Sequence, residues 1–159
     1  MKNTWSVICA KAVVDQMTNS LSLHDTVDEM TISFVNPEDM NKPTKNVPVS
    51  MAVVNLWYDE NTSEERTLDY VAEIYSPKGE QVGEFNITAK FEKGKKRLRT
   101  IANINGIKLT DEGTYGFRTS YKDKEGNMLQ VAEVPVDVKF VLNMNPQNTN
   151  NNSDANKVA

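Results

Sequence analysis

The sequence predicts an all-β protein, an antiparallel β-sandwich of about eight strands followed by a disordered C-terminal tail. Three observations carry that prediction. Apolar residues recur with period two in segment after segment, the spacing of half-buried strands. Clusters of Gly, Pro, Asn and Asp separate those segments and supply turn chemistry. No segment carries the apolar spacing of a helix of normal length. At 159 residues the chain suits one domain, residues 1–142, whose core needs no staples.

Taken in order, Thr4 to Val14 is a β-rich run that ends at Asp15-Gln16-Met17-Thr18-Asn19-Ser20, and Leu21 to Val35 returns from it as an antiparallel hairpin. Leu21 and Leu23 lie on one parity, while Met30, Ile32 and Phe34 lie on the other, so a bulge or bend is expected between Asp25 and Glu29. Asn36 to Val47 has Pro, Asn and charge without periodicity and reads as a surface loop. Val49 to Tyr58 is apolar on both parities, as in a central strand covered on both faces, and Trp57 within it reads as a core anchor.

Beyond the acidic turn Asp59 to Glu65, Leu68, Tyr70, Ala72 and Ile74 share one side of a strand. After Ser76-Pro77-Lys78-Gly79-Glu80, the residues Phe85, Ile87, Ala89 and Phe91 alternate with polar ones. Leu98, Thr100, Ala102 and Ile104 then face inward, opposite Arg97, Arg99 and Asn103, and Asn105-Gly106 ends that strand. The final strand alternates from Ala132 to Phe140. Pro135 cannot donate to a ladder, which places this strand at an edge or gives it a bulge. From Asn143 to Ala159 the composition is dominated by asparagine, and too little apolar surface remains to offset the entropy of ordering.

Asp111, Gly113 and Tyr115 form a turn that feeds the strand Tyr115, Phe117, Thr119, Tyr121. The pattern resembles the tyrosine corner of immunoglobulin-like domains, in which a buried Tyr bonds backbone a few residues upstream. It departs from antibody domains at Phe117, where they carry cysteine, so their inter-sheet disulfide is absent. More widely, Trp5-Ser6-Val7-Ile8-Cys9, Leu21-Ser22-Leu23, Val27 to Ile32, Leu56-Trp57-Tyr58, Ser76 to Glu80 and Arg97-Leu98-Arg99 resemble a family of uncharacterised bacterial proteins. The resemblance spans roughly Thr4 to Val141 and implies a cytoplasmic β-sandwich without assigned catalytic residues.

A net charge of −4 argues against general affinity for nucleic acid or acidic membranes. Lys11 and Asp15 interrupt the N-terminal apolar run too early for an export signal, and no stretch is long enough to span a bilayer, so a cytoplasmic location is expected. The single cysteine, Cys9, reads as a small buried hydrophobe.

Catalysis finds little support. The one histidine, His24, stands beside Asp25 on a strand, where neighbours point to opposite faces. Asp25, Asp28 and Glu29, and the acidic turn from Asp59 to Glu65, lack the spacing of an established cation loop and read as solvated charge. Lys93, Lys95, Lys96, Arg97 and Arg99 form one concentrated basic element, either a solubilising face or a surface for an anion or a partner. The expected function is a non-enzymatic binding or adaptor domain with a protein partner and no cofactor, metal or membrane. The alternatives are a small-ligand or anion-binding protein, or a structural subunit of a larger assembly.

Overall fold

A computed structural model describes residues 1–123 and 125–143. Of the segment expected to form a tail, everything from residue 144 onward lies outside the described residues. The elements are β1 (Lys2–Val14), β2 (Leu21–Thr26), β3 (Glu29–Phe34), α1 (Pro37–Met40), β4 (Lys45–Val47) and β5 (Met51–Tyr58). They continue with β6 (Arg66–Tyr75), β7 (Gln81–Phe91), β8 (Arg97–Ile104), β9 (Ile107–Leu109), β10 (Gly113–Lys122) and β11 (Met128–Leu142). Among the described residues no helix is long and apolar enough to cross a membrane.

Two sheets, ordered β2-β1-β5-β8 and β3-β11-β10-β6-β7, enclose the core, and β4 and β9 form a short separate ribbon. The chain is therefore all-β. It has more strands than the expected eight because Leu21 to Val35 divides in two and because the three-residue β4 and β9 form outside any long apolar alternation. The expected bend near Asp25 is a change of sheet: β2 pairs antiparallel with β1, whereas β3 pairs parallel with β11. Asp25 makes the change with φ of 52°, a left-handed conformation that Asp tolerates better than bulkier residues. The parity switch in the sequence follows, since Leu21 and Leu23 pack over the outer face of the four-stranded sheet while Met30 and Ile32 pack against the core between the sheets.

β11 is flanked by β10 on one side and, only from Asp137 onward, by β3 on the other. Pro135 thus sits in a stretch with one ladder partner, which fits its missing donor without placing the whole strand at an edge. The irregularity in that pairing is an extra residue in β11 itself, Val131, which stands opposite the step from Thr119 to Ser120 of β10, ahead of Pro135 rather than at it.

The core is layered by strand parity. Met51, Val53 and Trp57 of β5 face the opposite sheet, where Ile74, Phe117 and Val136 join one cluster and Leu68, Tyr70 and Phe91 the other. Trp57 is fully buried, its ring centroid 5.1 Å from that of Tyr70. Thr100 Oγ1 accepts from Trp57 Nε1 at 3.2 Å and from the Tyr70 hydroxyl at 2.8 Å, so both polar tips of these aromatics are satisfied in the interior. Burial pushes the Tyr70 phenol up from its ordinary value.

At the far end, Tyr115 is fully buried. Its hydroxyl accepts from Thr110 N at 2.8 Å and donates to Asp111 O at 2.9 Å, tying β10 to the turn that precedes it. Gly113 takes φ of 130°, and a Cβ there would stand 3.0 Å from Pro77 Cγ, so both conformation and space call for glycine. The loop that precedes β5 is anchored to the same corner. Lys45 is buried, its Nζ donates to Lys42 O at 2.7 Å and to Thr110 O at 2.8 Å, and it stands 4.7 Å from the Phe140 ring centroid.

A third layer covers part of the outer face of the four-stranded sheet. β1 pairs with β5 only as far as Cys9, and beyond it the β1–β2 hairpin folds back over the sheet. Ala12, Leu21 and Leu23 of the hairpin pack with Ile101 against buried Cys9, Ala52 and Val54. The hairpin turn reaches β8, where Arg99 Nη2 donates to Asn19 O at 2.8 Å and also bonds the Asn19 side chain. Cys9 is accordingly fully buried, and desolvation raises its thiol pKa.

Candidate functional site

The part of that outer face left open by the hairpin carries the basic element. Antiparallel pairing aligns Lys2 of β1, Tyr58 of β5 and Arg97 of β8 in one row across three strands. The next row holds Trp5, Leu56 and Arg99. Alternation points all six away from the core, because Asn55 and Trp57, the intervening residues of β5, are buried inside. Lys2 Nζ lies 5.4 Å from the centroid of the Tyr58 ring, close enough for its charge to favour the ring face. Trp5, Leu56 and Tyr58 are half-buried, so the rows combine exposed apolar surface with cationic heads.

The five basic residues expected to act together divide into three groups. Arg97 is exposed on the outer face and, among the described residues, has no ion pair or side-chain hydrogen bond. Arg99, on the same face, is committed to Asn19 and holds the hairpin down. Lys93, Lys95 and Lys96 lie exposed in the connection between β7 and β8. That connection is docked by its backbone on the acidic loop: Gly94 N donates to Thr62 O at 3.0 Å and Asp59 N to Lys96 O at 2.9 Å. Lys2, Trp5, Leu56 and Tyr58 complete the surface and were not assigned to it from the sequence. The parity of Leu56 and Tyr58 was readable there, but their alignment with Lys2 and Arg97 depends on long-range register.

The opposite outer face has a different charge pattern. Glu84, Glu73, Arg118 and Glu133 align in one row across four strands of the larger sheet. Arg118 there is held by Glu133 at 3.3 Å and lies 4.2 Å from the Tyr75 ring centroid. Lys139 pairs with Glu29 at 2.9 Å. That row is predominantly acidic, with three carboxylates to one cation, whereas the Lys2 and Arg97 rows contain no carboxylate.

Among the described residues no three His, Cys, Asp or Glu side chains come together in a way that could hold a metal ion. His24 is exposed and faces Lys11 across the hairpin ladder. The acidic loop borders a groove of about 810 Å³ that includes Glu64, Glu65, Asp69 and Asp123. Within it Asp59 is bonded by Arg66 and by Asn61 N at 3.0 Å, and Glu65 by Lys90 at 3.1 Å.

Desolvation works against ionisation of Asp59, but the bonds from Asn61 and Arg66 outweigh it and hold the carboxyl below its ordinary value. A depressed folded-state pKa adds stability that is fully present above the unfolded value, about 4, and is lost as pH falls toward the folded value. Asp59→Asn is therefore expected to lower the melting temperature at neutral pH, with the gap to wild type closing on acidification below about pH 4. Melting curves across pH would show this, and a gap that stays constant would rule out a stabilising ionised Asp59.

No family model and no curated protein matches the chain. Among solved structures it is similar to the PmoD soluble domain from Methylocystis sp. ATCC 49242 (Rockwell), at 13% sequence identity over 84% of this chain and 88% of that one. The TM-score is 0.33, a likeness too loose to bear on this chain's function.

Proposed function

We propose that the chain is a non-enzymatic binding domain that docks an acidic surface of a protein partner on the open outer face of its four-stranded sheet. One observation carries this reading: the row Lys2, Tyr58, Arg97, in which two cations flank an aromatic on a rigid sheet with no carboxylate among them. Charge of one sign on a preorganised face gives orientation and association rate, and the half-buried Trp5, Leu56 and Tyr58 supply apolar area to desolvate. A second reading, capture of a small anion, draws on Arg97, whose guanidinium is unpaired among the described residues and matches carboxylate or phosphate geometry.

The test compares the tagged full chain with the Lys2→Glu/Arg97→Glu double variant in recovering proteins from the native host's lysate at low and moderate salt. Both positions are exposed, so the variant is expected to melt close to wild type. A discrete acidic protein held by wild type, and lost with the variant and with salt, is the expected result. The same recovery with both chains, or none with either, would overturn the reading. Stabilisation of wild type by inorganic phosphate, absent in Arg97→Glu, would favour the second.

A further inference from the structure

β8 contributes both the open cationic row and a sheet edge. It ends the order β2-β1-β5-β8, so its ladder is filled on one side by β5 and the other side has no strand. An edge of eight residues offers a row of backbone donors and acceptors, a template for an added strand. The other long edge, β7, has polar side chains already engaged, Thr88 donating to Asp69 at 2.6 Å and Lys90 to Glu65 at 3.1 Å, so Lys90 there is not free to select an anion. The edge at β3 carries the Glu29–Lys139 pair. At β8, Arg97 and the adjoining Lys95 and Lys96 have no carboxylate partner among the described residues.

Building on the binding reading above, we propose that the partner presents an extended segment of alternating acidic and apolar residues, which joins β8 as a fifth strand of the sheet. Side chains of an added strand alternate between the two faces. On the outer face they meet Arg97 and its neighbours, which select carboxylates. On the inner face they meet Leu98 and Ala102, half-buried at the margin of the core, which select apolar side chains. Arg99 already holds Asn19, so Arg97 leads the recognition. Main-chain bonds supply affinity and the alternating pattern supplies specificity, as in other strand-addition complexes.

The experiment measures fluorescence anisotropy of a labelled eight-residue peptide of alternating Glu and Val on the full chain. Three comparison peptides are used: one of the same composition with the Glu and Val in separate blocks, one N-methylated at alternate backbone positions, and one of alternating Lys and Val. The alternating acidic peptide is expected to bind at least about tenfold tighter than the block and N-methylated forms. Arg97→Glu should lose it and gain the Lys and Val peptide, a rescue that an unfolded variant could not produce. Equal binding of the N-methylated or block peptide would overturn strand addition while leaving the charged face as a docking surface. Absence of binding by every acidic peptide, or tighter binding of a single-stranded oligonucleotide, would overturn this inference, and equal recovery by wild type and variant, or none by either, in the lysate test would separately remove the reading beneath it.

Discussion

Trp57→Ala is expected to destabilise the protein by about 3–5 kcal/mol, a large part of the total for a domain of this size. Trp57 has no exposed surface and packs against Tyr70, with its ring centroid 6.0 Å from that of Tyr121, so it touches the facing sheet through two of its strands. Alanine leaves a void that rigid β5, paired on both sides, cannot close by moving. The substitution also removes the indole donor to Thr100, although the Tyr70 hydroxyl still satisfies that oxygen. Urea unfolding checks this, with a lower midpoint and an unchanged slope marking a true loss of stability. Trp5→Ala is the control: Trp5 is half-buried on the outer face, and its loss should cost clearly less. Equal costs at the two positions would contradict the assignment of Trp57 to the core.

The second large effect is at Tyr115, where ring and hydroxyl act separately. Tyr115→Phe keeps the packed ring but strips the group that bonds Thr110 N and Asp111 O, and is expected to cost about 2 kcal/mol by leaving backbone groups at the corner without that partner. Tyr115→Ala also opens a cavity in a cluster that includes Leu109, Phe117 and Val138, raising the expected total to about 4–5 kcal/mol. Denaturant midpoints of the two variants resolve the contributions. If Tyr115→Phe were as stable as wild type, the hydroxyl would not be what holds the turn to β10.

Much of this was legible in the sequence because strand periodicity reports burial directly. Leu68, Tyr70, Ala72 and Ile74 share a parity and are all buried, and β5, apolar on both parities, is flanked by two strands and covered on both faces as far as Val54, with Leu56 and Tyr58 half-buried on the open part of the outer face. Gly113 and Asp111 marked a turn by local chemistry, and the turn lies where they stand. Lys45 was not legible. A lysine in a polar loop gives no local sign of burial, and only the approach of Thr110 and Phe140 from distant segments makes its charge tolerable there.

The candidate site shows the same division. The basic run from Lys93 to Arg99 was visible as a run, but its partition was not: Arg99 is taken by a turn 80 positions away, while Arg97 joins Lys2 and Tyr58 from two other strands. What the sequence determined by itself is the long strands, the side of each that is apolar, and most of the turns between them, since these follow from period-two patterning and short-range backbone preferences, whereas the short β4 and β9 carry no such signal. Tertiary structure alone decided the separation of β2 from β3, the parallel pairing of β3 with β11, the folding of the hairpin over Cys9, and the rows on the outer face. The physical reason is that alternation records whether a side of a strand is covered, whereas neighbour and register are fixed by long-range hydrogen bonds that every backbone can make alike.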